Sequence, residues 1–119
     1  MKYLITETTL NNQITDIAIS DGVISEIGAN LPREGFEIVD AKGSIALQGL
    51  VDLHTHLREP GKEDAETVAS GSIAAAKGGF TAVSAMANTS PVADTAGVVE
   101  QVYRLGQNCG LTDVYPIGA

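Results

Sequence analysis

Leu50-Val51-Asp52-Leu53-His54-Thr55-His56 is an apolar run that ends in two histidines, and the architecture turns on its being a strand. As a strand, it leads through Arg58, Glu59, Pro60 and Gly61, a polar connection, into a helix expected from about Asp64 to Lys77. Carboxylates stand at the start of that stretch, where a helix end is positive, and Gly78 and Gly79 stop it. Phe80 to Met86 reads as a second strand. Asp94 or Thr95 is placed to cap a further helix whose Val98, Val102 and Leu105 share one face, and Val114 to Ile117 opens a third strand. Strand alternating with helix is the grammar of a parallel sheet with crossover helices.

Upstream the grammar is different. Tyr3 to Thr6, Ile14 to Ile19, Val23 to Ile27, Ile38 to Ala41 and Ser44 to Leu47 are short runs rich in β-branched residues. Asp21-Gly22 separates two of them, a hairpin signal because both central residues of a type I′ turn need positive φ. Residues 1–48 are therefore expected to form a small antiparallel β module, and residues 49–119 the first βα units of a barrel. The fold class expected is α/β, an incomplete (β/α)8 TIM barrel of two to three βα units behind the β module. A closed barrel takes ~250 residues, and a parallel strand needs neighbours on both sides, so the chain is expected to be truncated at its C-terminus.

Composition narrows the class of function. Hydrophobic residues at 44% and charged ones at 18% are an ordinary globular balance. Fifteen acidic residues against seven basic ones give a net charge of -8, which opposes a phosphate-binding surface and excludes nucleic acid as an expected partner. One cysteine, Cys109, cannot form an internal disulfide; a reducing, cytoplasmic setting fits, and Cys109 reads as a small packed side chain. The apolar start Tyr3-Leu4-Ile5 is too short for a signal-peptide core, and no run approaches the roughly 20 apolar residues that span a bilayer.

Both histidines of the chain fall in the opening run. Positions two apart on a strand point to one side, so His54 and His56 can present imidazole nitrogens to one metal ion, with zinc the apt partner. A bland reading stands beside this, that the two merely share a sheet face. Their place at the C-terminal end of a strand, ahead of a loop and helix, is where barrel enzymes assemble their sites. Asp52 has the same strand parity and reads either as a partner that orients an imidazole or as a structural acid. Arg58 alone is a solvated loop cation, and Asn88 alone a turn or cap residue.

The continuous run Gly49 to Gly61 resembles the signature of dihydroorotases, of the amidohydrolase superfamily, and the likeness extends through Glu66-Thr67, Ala74 to Thr81 and Met86-Ala87-Asn88-Thr89. At the last of these the family usually has Met-Pro-Asn-Thr, so Ala87 stands where a proline is common. The resemblance implies that His54 and His56 are ligands of a binuclear zinc centre, and that His56, Arg58 and Asn88 contact the substrate, with Arg58 and Asn88 on its carboxylate. An arginine fork suits a carboxylate through two charge-assisted bonds. The implied reaction is reversible zinc-dependent hydrolysis of the dihydroorotate ring amide to N-carbamoyl-aspartate, in pyrimidine biosynthesis. The acid/base aspartate and remaining ligands are expected beyond Ala119, so the chain alone is expected to be inactive. A homodimer or a complex with aspartate transcarbamoylase is a further implied expectation. An allantoinase or hydantoinase type of cyclic amidohydrolase is the alternative within the enzyme class, and a non-catalytic amidohydrolase-like subunit the alternative outside it.

Overall fold

Alternating β-branched residues set the first strands. The structure, a computed structural model, describes residues 1–119 and divides into two units, Met1–Gln48 and Gly49–Ala119. In the first, β1 (Lys2–Leu10), β2 (Gln13–Ser20), β3 (Val23–Gly28) and β4 (Glu37–Asp40) form one sheet in the order β3-β2-β1-β4. Asn11-Asn12 and Asp21-Gly22 make the two hairpin turns, all four residues having the positive φ that short hairpin turns demand.

Two expectations are corrected here. The module is mixed rather than antiparallel, because β4 runs parallel to β1, from Tyr3 beside Glu37 to Thr6 beside Asp40. The connection after Gly28 carries the chain past β2 to the far side of β1, where arrival in the same direction as β1 is possible; a hairpin would not allow it. Ser44 to Leu47 is not a strand either. Lys42 and Gly43 turn with positive φ, after which only Ile45 bridges Thr9, and Leu47 is left exposed. Buried Asp16 holds the irregular parts of this unit together: one carboxylate oxygen accepts the Glu7 N–H at the break in the β1 register and the other the Leu31 N–H, each at 3.0 Å.

In the second unit β5 (Leu50–Thr55), β6 (Phe80–Ala85) and β7 (Asp113–Pro116) pair in parallel in the order β5-β6-β7, linked by α1 (Val68–Lys77) and α2 (Ala96–Cys109). Sequential parallel strands joined by helices are the opening of a (β/α)8 barrel, and the sheet is not closed. Leu57, Val68, Val83, Ala85, Val102 and Val114 form the buried cluster between sheet and helices. Burying each of the larger ones contributes ~1.5–3 kcal/mol. Cys109 packs against the same cluster.

The first helix begins at Val68, not near Asp64. Thr67 caps it, accepting the Ser70 N–H at 3.0 Å while the Ser70 hydroxyl accepts the Thr67 N–H, and no acidic residue lies in its first turn. Glu63, Asp64 and Glu66 remain in the preceding connection, where the reciprocal Thr/Ser cap marks the start of the helix. No helix is long and apolar enough to cross a membrane.

Candidate functional site

His54 is near the end of β5 and His56 just beyond it, so both stand at the C-terminal edge of the parallel strands. Their ring centroids are 5.2 Å apart and the planes are nearly perpendicular, at 71°. Two imidazoles placed side by side in this way are a donor set suited to zinc. No group of three or more His, Cys, Asp or Glu side chains lies close enough together to hold a metal. The pair by itself offers two nitrogen donors.

Asp52 does not touch either imidazole. Its carboxylate accepts the backbone N–H of His54 at 2.9 Å, which fixes the strand end rather than a ring. The ring of His56 has a different partner: its Nδ1 lies 3.0 Å from the side-chain oxygen of Asn88, thirty-two positions away. Asn88 comes just after β6, so neighbouring strands deliver these two residues to one edge.

The two loops beyond the strands are tied to each other. Met86 N–H donates to Thr55 O at 2.9 Å, extending the β5–β6 pairing by one step, and Ser90 N–H donates to Pro60 O at 2.9 Å. Gly61, with φ +100°, lies so close to Ser90 that a Cβ there would collide with its backbone oxygen. Buried Thr89 donates its hydroxyl to Pro91 O at 2.7 Å, and Ala93 N–H closes back on Ala87 O at 3.0 Å. Ala87 donates no backbone hydrogen bond, so a proline at this position would break none. The bend around it is held by its carbonyl instead.

Arg58 has φ +62° and is the one non-glycine residue of Gly49–Ala119 in the left-handed region. Its guanidinium forms no ion pair within the chain, where the ion pairs are Met1 with Asp21 and Glu100 with Arg104. Its charge is therefore open to a ligand. Its neighbour Glu59, to which the sequence assigns no part, accepts the Val68 N–H at 2.8 Å and so brings a carboxylate to the start of α1 from outside the helix. No local pattern marks that contact, because it joins a loop to a helix end nine positions on. In the turn between them, the Gly61 N–H donates to Glu63 and holds its carboxyl below the usual glutamate range.

An open depression of about 330 Å³ is lined by His56, Met86, Ala87, Asn88, Val92 and Ala119. A larger one, of about 410 Å³, lies at the opposite ends of the strands, beside Phe80, Thr81 and Thr112. Asp113 is its sole acidic or basic side chain, so it holds no acid–base pair and no ligand set.

The sequence of residues 43–118 matches the model of the dihydro-orotase-like family. The chain belongs to that family. Members similar to it include the dihydroorotase of Streptomyces coelicolor, 62% identical over 110 residues, which are 92% of this chain and 26% of that protein. The dihydroorotase of Leifsonia xyli subsp. xyli is 63% identical over 105 residues, covering 88% of this chain and 24% of the relative. The chain thus spans about a quarter of the length of the relatives it matches. Among solved structures, the L-hydantoinase (dihydropyrimidinase) of Arthrobacter aurescens superposes with a TM-score of 0.80 at 23% identity, over 98% of this chain and 27% of that one. That likeness shows a shared fold, of which this chain covers about a quarter.

Proposed function

We propose that this chain forms the first part of a dihydroorotase, and that His54 and His56 are two ligands of its zinc centre. The observation that carries the reading is the side-by-side placement of the two imidazoles at the C-terminal strand edge, with centroids 5.2 Å apart, in a chain more than 60% identical to named dihydroorotases. When bound, a zinc pair would supply an activated water and polarise the ring carbonyl. The residues of this chain do the rest of what it contributes. His54 and His56 hold the metal as neutral imidazoles. Arg58, which has no ion-pair partner in the chain, takes the substrate carboxylate through its planar fork, and the Asn88 amide N–H groups add a further donor. In hydrolysis the ring amide C–N bond breaks, its carbon becomes a carboxylate and its nitrogen takes up a proton, giving N-carbamoyl-aspartate. No three potential ligands cluster within these residues, so this reading takes the remaining ligands and the group that manages the proton from other parts of the enzyme. A cytoplasmic place in pyrimidine synthesis goes with that activity. The hydantoinase alternative is weaker, since such enzymes match this chain in fold at 23–28% identity, far below the dihydroorotases.

The test is made in a protein that joins this chain to the remaining barrel strands. With His54 and His56 both replaced by alanine, bound zinc and dihydroorotate turnover are expected to fall together. Full zinc content and full turnover in the double variant would refute the assignment, and turnover of hydantoins in place of dihydroorotate would favour the alternative.

A further inference from the structure

We infer that Asn88 is a positioning residue for His56, its side-chain oxygen fixing the ring as the Nδ1–H tautomer and leaving the Nε2 lone pair as the one donor His56 offers to a cation. This rests on the zinc reading above, and adds to it a second role for Asn88 besides contact with the substrate.

An amide oxygen can only accept, so the ring nitrogen 3.0 Å from it must bear the hydrogen. A neutral imidazole has one N–H, and the other nitrogen then keeps its lone pair. The reversed amide would point an N–H at Nδ1 and place the ring hydrogen on Nε2. Neither ring nitrogen would then be free to ligate, so ligation by His56 selects the orientation observed. Ligating histidines commonly donate their second N–H to a carbonyl or carboxylate, which fixes both tautomer and ring orientation.

The placement of Asn88 is not incidental to a mobile side chain. Its neighbour Thr89 is buried and bonded to Pro91 O, Ser90 is bonded to Pro60 O, and Gly61 abuts Ser90, so the loop after β6 is pinned to the loop that begins at His56. His54 has no hydrogen-bond partner for its ring and serves as an internal reference.

The experiment is a long-range ¹H–¹⁵N correlation spectrum of the metal-free full chain with labelled histidine, at pH about 8, above the usual imidazole range. His56 is expected as the Nδ1–H tautomer in the parent chain and in Asn88→Asp, whose carboxylate still accepts. In Asn88→Leu it is expected as a mixture, with the His54 pattern unchanged. Calorimetric titration with Zn²⁺ alone should show about 10- to 100-fold weaker binding for Asn88→Leu and recovery in Asn88→Asp. An Nε2–H tautomer in the parent chain overturns the inference, as does an Asn88→Leu variant whose tautomer or zinc affinity is unchanged. Should Asn88→Leu fail to fold, the tautomer of the parent chain and of Asn88→Asp decides alone. Neither readout uses the substrate, so loss of the dihydroorotase assignment and loss of this inference appear in separate measurements.

Discussion

Arg58 occupies a left-handed backbone conformation, at φ +62°, that costs a residue with a Cβ of order 1–3 kcal/mol and that glycine would adopt freely. Arg58 makes no ion pair in the chain, and under the proposed function its guanidinium takes the substrate carboxylate. Lysine would keep the charge and lose the planar fork. In the complete barrel Arg58→Lys is predicted to lower kcat/KM for dihydroorotate by roughly 1.5–3 kcal/mol, the range of a hydrogen bond to a charged group, while zinc content stays constant. Steady-state kinetics with metal analysis checks it, and an unchanged kcat/KM would remove Arg58 from the carboxylate.

At the scale of elements, α1 is held by its N-terminus and α2 by its fit to the sheet. No acidic residue stands in the first turn of α1; the carboxylate comes from Glu59 in the preceding loop and accepts the Val68 N–H. Glu59→Ala is predicted to destabilise the protein by about 0.5–2 kcal/mol, with a smaller loss in Glu59→Gln, which still accepts but brings no charge to the helix dipole. Thermal unfolding of both variants measures this. In the same loop the depressed carboxyl of exposed Glu63 stabilises the turn above the ordinary glutamate range, and that contribution is lost as pH falls through the depressed pKa. For α2, a Cβ added at buried Gly106 would stand 2.5 Å from Val114 Cβ, so the helix lies directly on β7. Gly106→Ala is predicted to destabilise by about 1–3 kcal/mol despite the better helix propensity of alanine. A variant as stable as the parent would show that the helix can lift from the strand without cost.

For the whole molecule, the governing feature is a three-stranded parallel sheet whose outer strands, β5 and β7, each have one neighbour. Leu50, Val51 and Leu53 on β5 and Tyr115 on β7 are 45%, 56%, 73% and 53% exposed. Parallel strands are ordinarily covered on both faces, and unpaired edges invite association. Residues 1–119 alone are predicted to self-associate with rising concentration, and to lose this tendency when a fragment carrying the remaining barrel strands is added. Sedimentation velocity over a concentration series tests it; a monodisperse monomer throughout would mean that these edges are protected.

How much of this was legible in the sequence depends on the range over which each feature is determined. The order of strands and helices from Leu50 onward, the Asp21-Gly22 turn, the Thr95 cap and the pairing of His54 with His56 come from local periodicity, turn chemistry and strand parity, which act over a few residues. The parallel docking of β4 beside β1, the loop carboxylate at the start of α1 and the meeting of Asn88 with His56 join residues distant in sequence. Nothing in the pattern around either partner encodes such contacts. They are settled by which strands become neighbours and by loops tied through backbone hydrogen bonds, so the candidate residues could be named one by one from the sequence, while the contact between the Asn88 side chain and the His56 ring was decided by tertiary structure.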